Sequence, residues 1–300
     1  MATMKTLNGY GFNATELNGK TASDYLQKTD TATNSAKLGG KAPEYYIQPR
    51  NLLDNSDFRN PVNQRGQTSY EIVGGFYNID RWVNWLETSD ITSHIIVQDG
   101  YITVETGGKL QQKLASYKQN TIYTAAAKRT DGTVLIVSGM FSNVEIGEDI
   151  FIKTGSDGIP NVGLRSGDYL WAALYEGSYT AETLPPYVPK GYAAELAECK
   201  RYYELLNNGS SQFVRAYNSS TIAFVINYAE KRIGPTISVT GSLANALSVA
   251  GIGTNTPTSI GSAYPVGLKS ARINAAGTFD TSYTYSIIYN IAKLEINADM

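Results

Sequence analysis

The chain has 300 residues, so two or three packed units are expected, each large enough to bury a core. Charged residues make up 17% of the sequence and the formal net charge is −2, with no run of lysines or arginines. A nucleic-acid partner is therefore not expected, because phosphate binding needs clustered cations. The many Gly, Ser, Thr and Asn residues and the 22 tyrosines suit a neutral partner such as a glycan.

Cysteine and histidine each occur once, as Cys199 and His94. A single cysteine excludes an intramolecular disulfide, and one cysteine with one histidine cannot form the usual zinc sites, so neither metal nor cofactor is expected. The first twelve residues contain no apolar segment, and eighteen apolar residues never follow one another. We therefore expect no secretion signal and no membrane insertion, with synthesis in the cytoplasm.

A short element recurs near the N-terminus, where residues 17–25 (LNGKTASDY) are echoed by residues 38–46 (LGGKAPEYY). Each copy has one leucine and one or two aromatic residues, which is too little to bury alone. The copies are therefore expected to stack on neighbours or on symmetry mates. The alternative is a chance turn within a polar linker. Residues 1–50 are assigned to N-terminal attachment or shaft repeats.

From residue 51 to about residue 186, short alternating or wholly apolar runs predict strands. Turn sequences that tolerate positive φ, such as Asp99-Gly100 and Asp131-Gly132, separate these runs. Strands at this spacing without a helical pattern between them indicate a β-sandwich or jelly roll. The strands predicted here are residues 94–97, 101–105, 122–127, 134–137 and 169–175.

A proline-rich hinge at residues 184–189 (LPPYVP) precedes a predicted helix over residues 193–206. Its apolar residues recur at helical spacing, and Asn-Asn-Gly at 207–209 ends it. Within this stripe Cys199 is expected to be a core residue, because a reactive thiol needs a basic setting. Residues 51–208 are thus assigned to a sandwich closed by one helix. The stripe consists of Leu196, Cys199, Tyr203 and Leu206.

The C-terminal residues 209–300 return to strand patterns and are assigned to a small β head domain. Residues 221–228 place alternate apolar side chains on one face, which is typical of a half-buried strand. The Gly, Ser, Thr and Asn content of residues 251–277 predicts a long loop region. Further strands are predicted at residues 236–240, 283–290 and 293–298.

Several stretches resemble one family. In chain order, residues 51–58 (NLLDNSDF), 60–66 (NPVNQRG) and 77–82 (YNIDRW) resemble the opening of the carbohydrate-binding-module-like sandwich of bacteriophage and prophage tail fibre proteins. Residues 194–203 (AELAECKRYY) are similar to the helix that closes those sandwiches, and residues 232–239 (RIGPTISV) to a strand of tail fibre C-terminal regions. The N-terminal repeats resemble fibre shaft units.

The resemblance implies a mainly β, homotrimeric receptor-binding protein of the virion tail. Its N-terminus would be held by other tail or baseplate proteins, and its head would meet a host cell-surface glycan. Attachment would be multivalent and non-catalytic, so no enzyme activity is expected. Two alternatives stay open: a purely structural tail or baseplate component, and a polysaccharide-degrading tail enzyme.

Glycan binding generally uses aromatic faces flanked by amides and carboxylates. Loops on a rigid scaffold commonly carry binding residues, so the head is the expected contact surface. Trp82 and Trp171 are expected to be core residues, and Asp80 is expected to pair with Arg81. The candidate glycan-binding residues are Tyr217, Asn218, Tyr264, Tyr283 and Tyr285 in the head, with Tyr77 and Trp85 in the sandwich.

No catalytic residue is predicted. Glycoside hydrolysis needs two opposed carboxylates, one with a raised pKa, and the spacing of the acidic residues does not force two of them together. They are interpreted as solvated or turn-capping groups. His94 lies in an apolar strand and is expected on an exposed or half-buried face rather than as a base. The acids considered are Asp80, Glu87, Asp90, Asp149 and Asp168.

Overall fold

A computed structural model describes residues 49–88, 91–206, 211–240, 247–251, 253–255, 259–265, 267–281, 284–289 and 293–298, together with two short N-terminal strands. The chain divides into two compact units, Met1–Pro49 and Arg50–Met300. In the first unit, β1 (Glu16–Leu17) and β2 (Lys20–Thr21) pair antiparallel. The rest of the predicted N-terminal repeats lies outside the described residues.

Two antiparallel sheets enclose the main core of the second unit. One has six strands in the order β3-β5-β6-β12-β8-β9, and the other has four in the order β10-β11-β7-β4. Side chains from both sheets, such as Ile102, Leu110 and Leu174, meet in the core with Phe58 and Trp82 from the segments outside the strands. The bounds are β3 (Ser69–Glu71), β4 (Val83–Leu86), β5 (His94–Gln98), β6 (Tyr101–Val104), β7 (Gly108–Lys113), β8 (Ile122–Arg129), β9 (Val134–Met140), β10 (Ile150–Thr154), β11 (Pro160–Leu164) and β12 (Gly167–Glu176).

The five strands named from the sequence are all present, and all five belong to the six-stranded sheet. The buried positions of β6 alternate with half-buried ones, as a strand with one face on a core requires. The prediction of a mainly β protein is therefore confirmed. The predicted core positions of Trp82 and Trp171 are confirmed as well.

Asn55 joins the segments that open the sandwich. It is buried and has a φ of 50°, a left-handed conformation that asparagine tolerates better than most residues. Its side-chain amide donates to the carbonyls of Val62 and Asp80 at 2.8 Å each and accepts from Val62 N at 2.7 Å. Its backbone N donates to Glu195 Oε2 at 2.6 Å, and its carbonyl accepts from Trp82 Nε1 at 2.8 Å. Asn55 thus links the stretches 60–66 and 77–82 to its own stretch, 51–58, and to the helix that contains Glu195.

The helix α1 spans Tyr192–Lys200 and is shorter than predicted. A turn follows it, and residues Tyr203–Leu206 form strand β13, which pairs with β22 (Lys293–Asn297). The helical interpretation of Tyr203 and Leu206 is wrong because this tertiary pairing overrides the local pattern. Cys199 is buried as expected, and burial raises the pKa of its thiol.

The proline-rich segment at residues 184–189 packs on the sandwich rather than acting as a hinge. The Tyr187 ring stacks on Trp171 with centroids 4.6 Å apart and an interplanar angle of 2°. Leu184 also packs on this second apolar cluster, which lies on the six-stranded sheet and includes Ala173 and Tyr175. The hinge prediction is wrong because aromatic stacking and apolar contacts hold the segment against the sheet.

The C-terminal strands form a three-stranded sheet, β13-β22-β16, and a seven-stranded sheet, β18-β17-β21-β14-β15-β20-β19. The predicted strands at 221–228, 236–240, 283–290 and 293–298 are present with slightly different bounds. The predicted loop region at 251–277 is wrong because it contains three strands, one of which buries Ala271, Ile273 and Ala275 alternately. The bounds are β14 (Ser211–Asn218), β15 (Thr221–Asn227), β16 (Thr236–Thr240), β17 (Leu247–Gly251), β18 (Gly253–Asn255), β19 (Ser259–Pro265), β20 (Ser270–Ala276) and β21 (Thr284–Tyr289).

The sheet β13-β22-β16 includes a strand that directly follows the helix. Residues 203–206 therefore share a sheet with strands of the predicted head, and Leu206 and Ile237 pack on the core that contains Phe224 and Ile296. The predicted domain boundary between residues 208 and 209 stays a prediction.

Replacing Asn55 by alanine is expected to lower the free energy of unfolding by about 3 kcal/mol or more, because several buried partners lose their hydrogen bonds at once. Urea unfolding followed by tryptophan fluorescence measures the change. Asn60→Ala, at an exposed position of the same segment, should stay within about 0.5 kcal/mol of the parent chain. Equal stability of the two variants would contradict the joining role of Asn55.

Candidate functional site

A groove lies on the face of the four-stranded sheet that points away from the main core. Its volume is about 360 Å³. Strand β7 places Leu110 in the core, so its alternate residues Lys109, Gln111 and Lys113 face the groove. The lining residues are Trp85, Leu86, Lys109, Gln111, Lys113, Lys153, Gly155, Ser156, Asp157 and Asn161.

Trp85 supplies an aromatic surface at the groove. The residue is 43% exposed, and its ring lies beside the backbone of Gly74 and Gly75, where a Cβ on Gly75 would be 3.6 Å from the ring. The neighbouring loop is held by hydrogen bonds from Gly75 N to Asn84 O at 2.8 Å and from Asn84 N to Phe76 O at 2.9 Å. An indole supported on one side and open on the other suits stacking against the apolar face of a sugar ring.

Polar side chains form the floor and one end of the groove. Gln111 and Asn161 are 5% and 4% exposed, and Asn161 Nδ2 donates to Ile159 O at 2.8 Å. Asp157 Oδ1 accepts from Ile159 N at 3.0 Å. A Cβ on Gly155 would lie 2.6 Å from Asp157 Oδ1, so a larger residue there would displace this carboxylate. Amide and carboxylate groups held in this way suit hydrogen bonding to hydroxyl groups.

The aromatic ring of Phe151 lies beside the groove and supports two lysines and an arginine. Phe151 pairs with Gly163 across the sheet, and a Cβ on Gly163 would lie 2.1 Å from Phe151 Cζ, so the ring covers the glycine backbone. The Nζ atoms of Lys109 and Lys153 each lie 5.4 Å from the ring centroid, and Cζ of Arg165 lies 5.1 Å from it. These distances allow cation–π attraction. The aromatic ring therefore gives three long side chains a common support.

Two carboxylates connect these three cations. Glu145 contacts Lys153 at 3.3 Å, Lys109 at 3.9 Å and Arg165. Glu87 contacts Arg165 at 2.6 Å and Lys109 at 3.6 Å. Such a network holds charged groups in place better than a single exposed ion pair does.

Lys113 and Asp157 form a separate pair at the other end of the groove. Their Nζ and Oδ2 atoms are 2.8 Å apart. The hydrogen bond from Lys113 lowers the pKa of the Asp157 carboxyl below its ordinary value. The charge of Lys113 is thus balanced by a neighbouring carboxylate.

Of the two sandwich residues predicted to bind glycan, Trp85 lines the groove and Tyr77 does not. Tyr77 is half-buried and forms a backbone bridge with Val83, and Cζ of Arg65 lies 6.0 Å from its ring centroid.

In the predicted head, Tyr217 is 73% exposed, next to the turn between β14 and β15. Asn218 has a structural role, because its Oδ1 accepts from the backbone N and the hydroxyl of Ser220 at 2.9 Å each. Tyr264 and Tyr285 belong to strands β19 and β21, but their side chains, like the whole of Tyr283, lie outside the described residues.

Four of the five acids considered from the sequence lie among the described residues, each with a partner. The carboxylate of Asp80 contacts Arg65 at 3.1 Å rather than Arg81, so the predicted pairing with Arg81 is wrong. Arg81 contacts Asp54 at 3.3 Å instead, because its backbone turns at a φ of 73°. Asp90 lies outside the described residues. Glu87 contacts Arg165, Asp149 contacts Arg129 at 3.1 Å, and Asp168 accepts from Thr103 Oγ1 at 2.6 Å.

His94 is half-buried as expected, with a side chain that is 36% exposed. Its Nδ1 lies 2.9 Å from Glu105 Oε2, and His94 begins β5, the second strand of the six-stranded sheet. Among the residues that the structure describes, no three His, Cys, Asp or Glu side chains are placed to hold a metal ion. Over the same part of the chain, no helix has the length and apolar character that spanning a lipid bilayer requires.

No family model and no curated protein matches this chain. Two solved variants of oxalate decarboxylase from Bacillus subtilis are each 10% identical to it, over 75% of this chain and 78% of theirs. Their TM-scores are 0.10 and 0.11. Similarity at this level supports no inference about fold or function.

Gly163→Ala is expected to displace the Phe151 ring, since the new Cβ would overlap it, and to lower the free energy of unfolding by about 1–3 kcal/mol. Thermal and urea unfolding measure the loss. The matched control is Gly234→Ala, because a Cβ there meets open space and should change stability by less than about 0.5 kcal/mol. Unchanged stability of Gly163→Ala would contradict the supporting role of the ring.

Proposed function

We propose that this chain is the receptor-binding tail fibre protein of a bacteriophage or of a phage-derived tail. It attaches the particle to a host cell-surface glycan by non-catalytic, multivalent binding. The observation that carries the proposal is the exposed indole of Trp85 at a polar groove on the open face of a sheet. The resemblance of the sandwich segments and C-terminal strand to tail fibre proteins supports the same function.

The size and chemistry of the groove suit a sugar. A volume of about 360 Å³ falls within the range of small-ligand sites. A pyranose stacked on Trp85 would have Gln111 and Asn161 below its hydroxyl groups and Asp157 at one end. These groups offer both donors and acceptors, as hydroxyl recognition requires.

Multivalency makes such a site sufficient for adhesion. A single glycan contact with a millimolar Kd provides only about 4 kcal/mol of binding free energy. In the proposed homotrimer, residues 1–50 hold other tail or baseplate proteins, residues 51–208 form a jelly-roll-like sandwich, and residues 209–300 form the head. Three copies per fibre make the later contacts intramolecular and raise the avidity by orders of magnitude.

Trp85→Ala is expected to weaken binding of the full chain to purified host-wall glycan at least about tenfold, because the stacking surface is lost. Isothermal titration calorimetry measures the change in affinity, and Tyr217→Ala tests the head in the same way. If glycan binding were lost in Tyr217→Ala and kept in Trp85→Ala, the binding site would lie in the head. Absence of glycan and cell binding by the parent chain would favour a structural tail component, and release of reducing sugar would establish an enzyme.

The full chain is expected to be a trimer in solution at micromolar concentration. Light scattering should give three times the mass of one chain, because the N-terminal repeats are expected to stack on symmetry mates and the head is proposed to join the same trimer. A monomer at this concentration would contradict the multivalent mechanism.

A further inference from the structure

The cations beside the groove outnumber their carboxylate partners. Lys109, Lys153 and Arg165 surround Phe151 and share two carboxylates, Glu87 and Glu145. One positive charge therefore lacks a counterpart within this network. Of these cations, the two lysines line the groove, whereas neither carboxylate does.

The lysines are held before any ligand arrives. Their side chains are only 17% and 27% exposed for Lys109 and Lys153, although lysine side chains are ordinarily well solvated. The ring of Phe151 and the carboxylate of Glu145 fix both of them. A ligand anion would therefore meet cations that lose little conformational freedom on binding.

The aromatic surface and the excess charge lie next to each other. Trp85 and Lys109 are direct partners across strands β4 and β7, so their side chains stand side by side on the same face. A sugar ring stacked on the indole would place a substituent on its rim beside Lys109, and Lys153 lines the same groove.

We infer that the groove binds a sugar residue with an anionic substituent, a carboxylate or a phosphate. The inference rests on the proposed glycan-binding function and specifies its ligand. Trp85 contacts the ring, Gln111 and Asn161 contact hydroxyl groups, and Lys109 with Lys153 contacts the anion. The near-neutral composition by itself suggested a neutral glycan. The charges close to the groove decide the charge of the ligand, because exposed charges more than about 8–10 Å away are screened at physiological salt.

The first test uses the full chain and four disaccharides in calorimetric titrations. One disaccharide ends in glucuronic acid, the second is its carboxyl-reduced, neutral counterpart, and the third and fourth are a neutral disaccharide with and without a terminal phosphate. At least one anionic form should bind about tenfold more tightly than its neutral counterpart, a difference typical of a charge-assisted hydrogen bond. The preference should shrink as sodium chloride is raised.

The second test uses variants of the lysines. Lys109→Met and Lys153→Met should lose the preference for the anionic sugar and keep the weak binding of the neutral one, whereas Lys153→Arg should retain the preference. Lys118→Met is the control, because this lysine is 70% exposed and pairs with Glu176 outside the groove. Thermal unfolding checks that each variant is folded.

The outcomes separate the inference from the proposed function. Equal affinity for charged and neutral disaccharides, lost in Trp85→Ala, would overturn the inference and leave glycan binding by the groove intact. A preference for the anion that persists in both lysine variants would also overturn it, because the anion would then bind elsewhere. Failure of every glycan, host-wall glycan included, to bind would overturn both.

Discussion

The sandwich depends on a buried asparagine that satisfies several backbone groups at once. Asn55 occupies a left-handed backbone position and bonds to Val62, Asp80, Trp82 and Glu195, which lie in three separate segments. Burying a backbone N–H or C=O group without a hydrogen-bond partner costs free energy. Segments outside the β-sheets therefore need a side chain that supplies these hydrogen bonds. Much of the irregular chain around the sandwich is positioned by this residue.

The segments around Asn55 build the scaffold of the sandwich and not its groove. Residues 51–58, 60–66 and 77–82 supply buried hydrogen bonds, ion pairs and a core tryptophan, and none of them lines the groove. Trp85 lies three residues beyond the last of these stretches, and the lysines of the groove lie further along the chain. The ligand therefore has to be inferred from a different set of residues than those that hold the sandwich together.

The sequence predicted one sheet of the sandwich well and said little of the other. Strands of the six-stranded sheet are apolar runs such as 134–137, which stand out from their surroundings. In the four-stranded sheet, β7 reads Gly-Lys-Leu-Gln-Gln-Lys, and β11 contains both a proline and a glycine, so the apolar signal is weak. Three of the four polar residues of β7, Lys109, Gln111 and Lys113, line the groove. Among the residues that line the groove, Trp85 was predicted because aromatic residues stand out in a sequence. Lys109 and Lys153 were not predicted, because strand register decides whether they lie close to the same groove.

Long-range strand pairing explains the errors in the predicted helix and in the predicted head. Tyr203 and Leu206 match a helical repeat, yet they pair with Asn297 and Leu294, and no local pattern reveals a partner so far along the chain. The small residues of β20 likewise form a strand because β15 and β19 lie on either side of it.

The position of β22 between β13 and β16 also sets an order of events during synthesis. Asn55 acquires its helix contact once Glu195 has left the ribosome, so the sandwich is able to close early. Strand β13 then waits for residues 293–297 before its edge is paired. During that interval the nascent chain carries an open strand edge beside a finished sandwich, a state in which contacts between neighbouring nascent chains compete with correct closure.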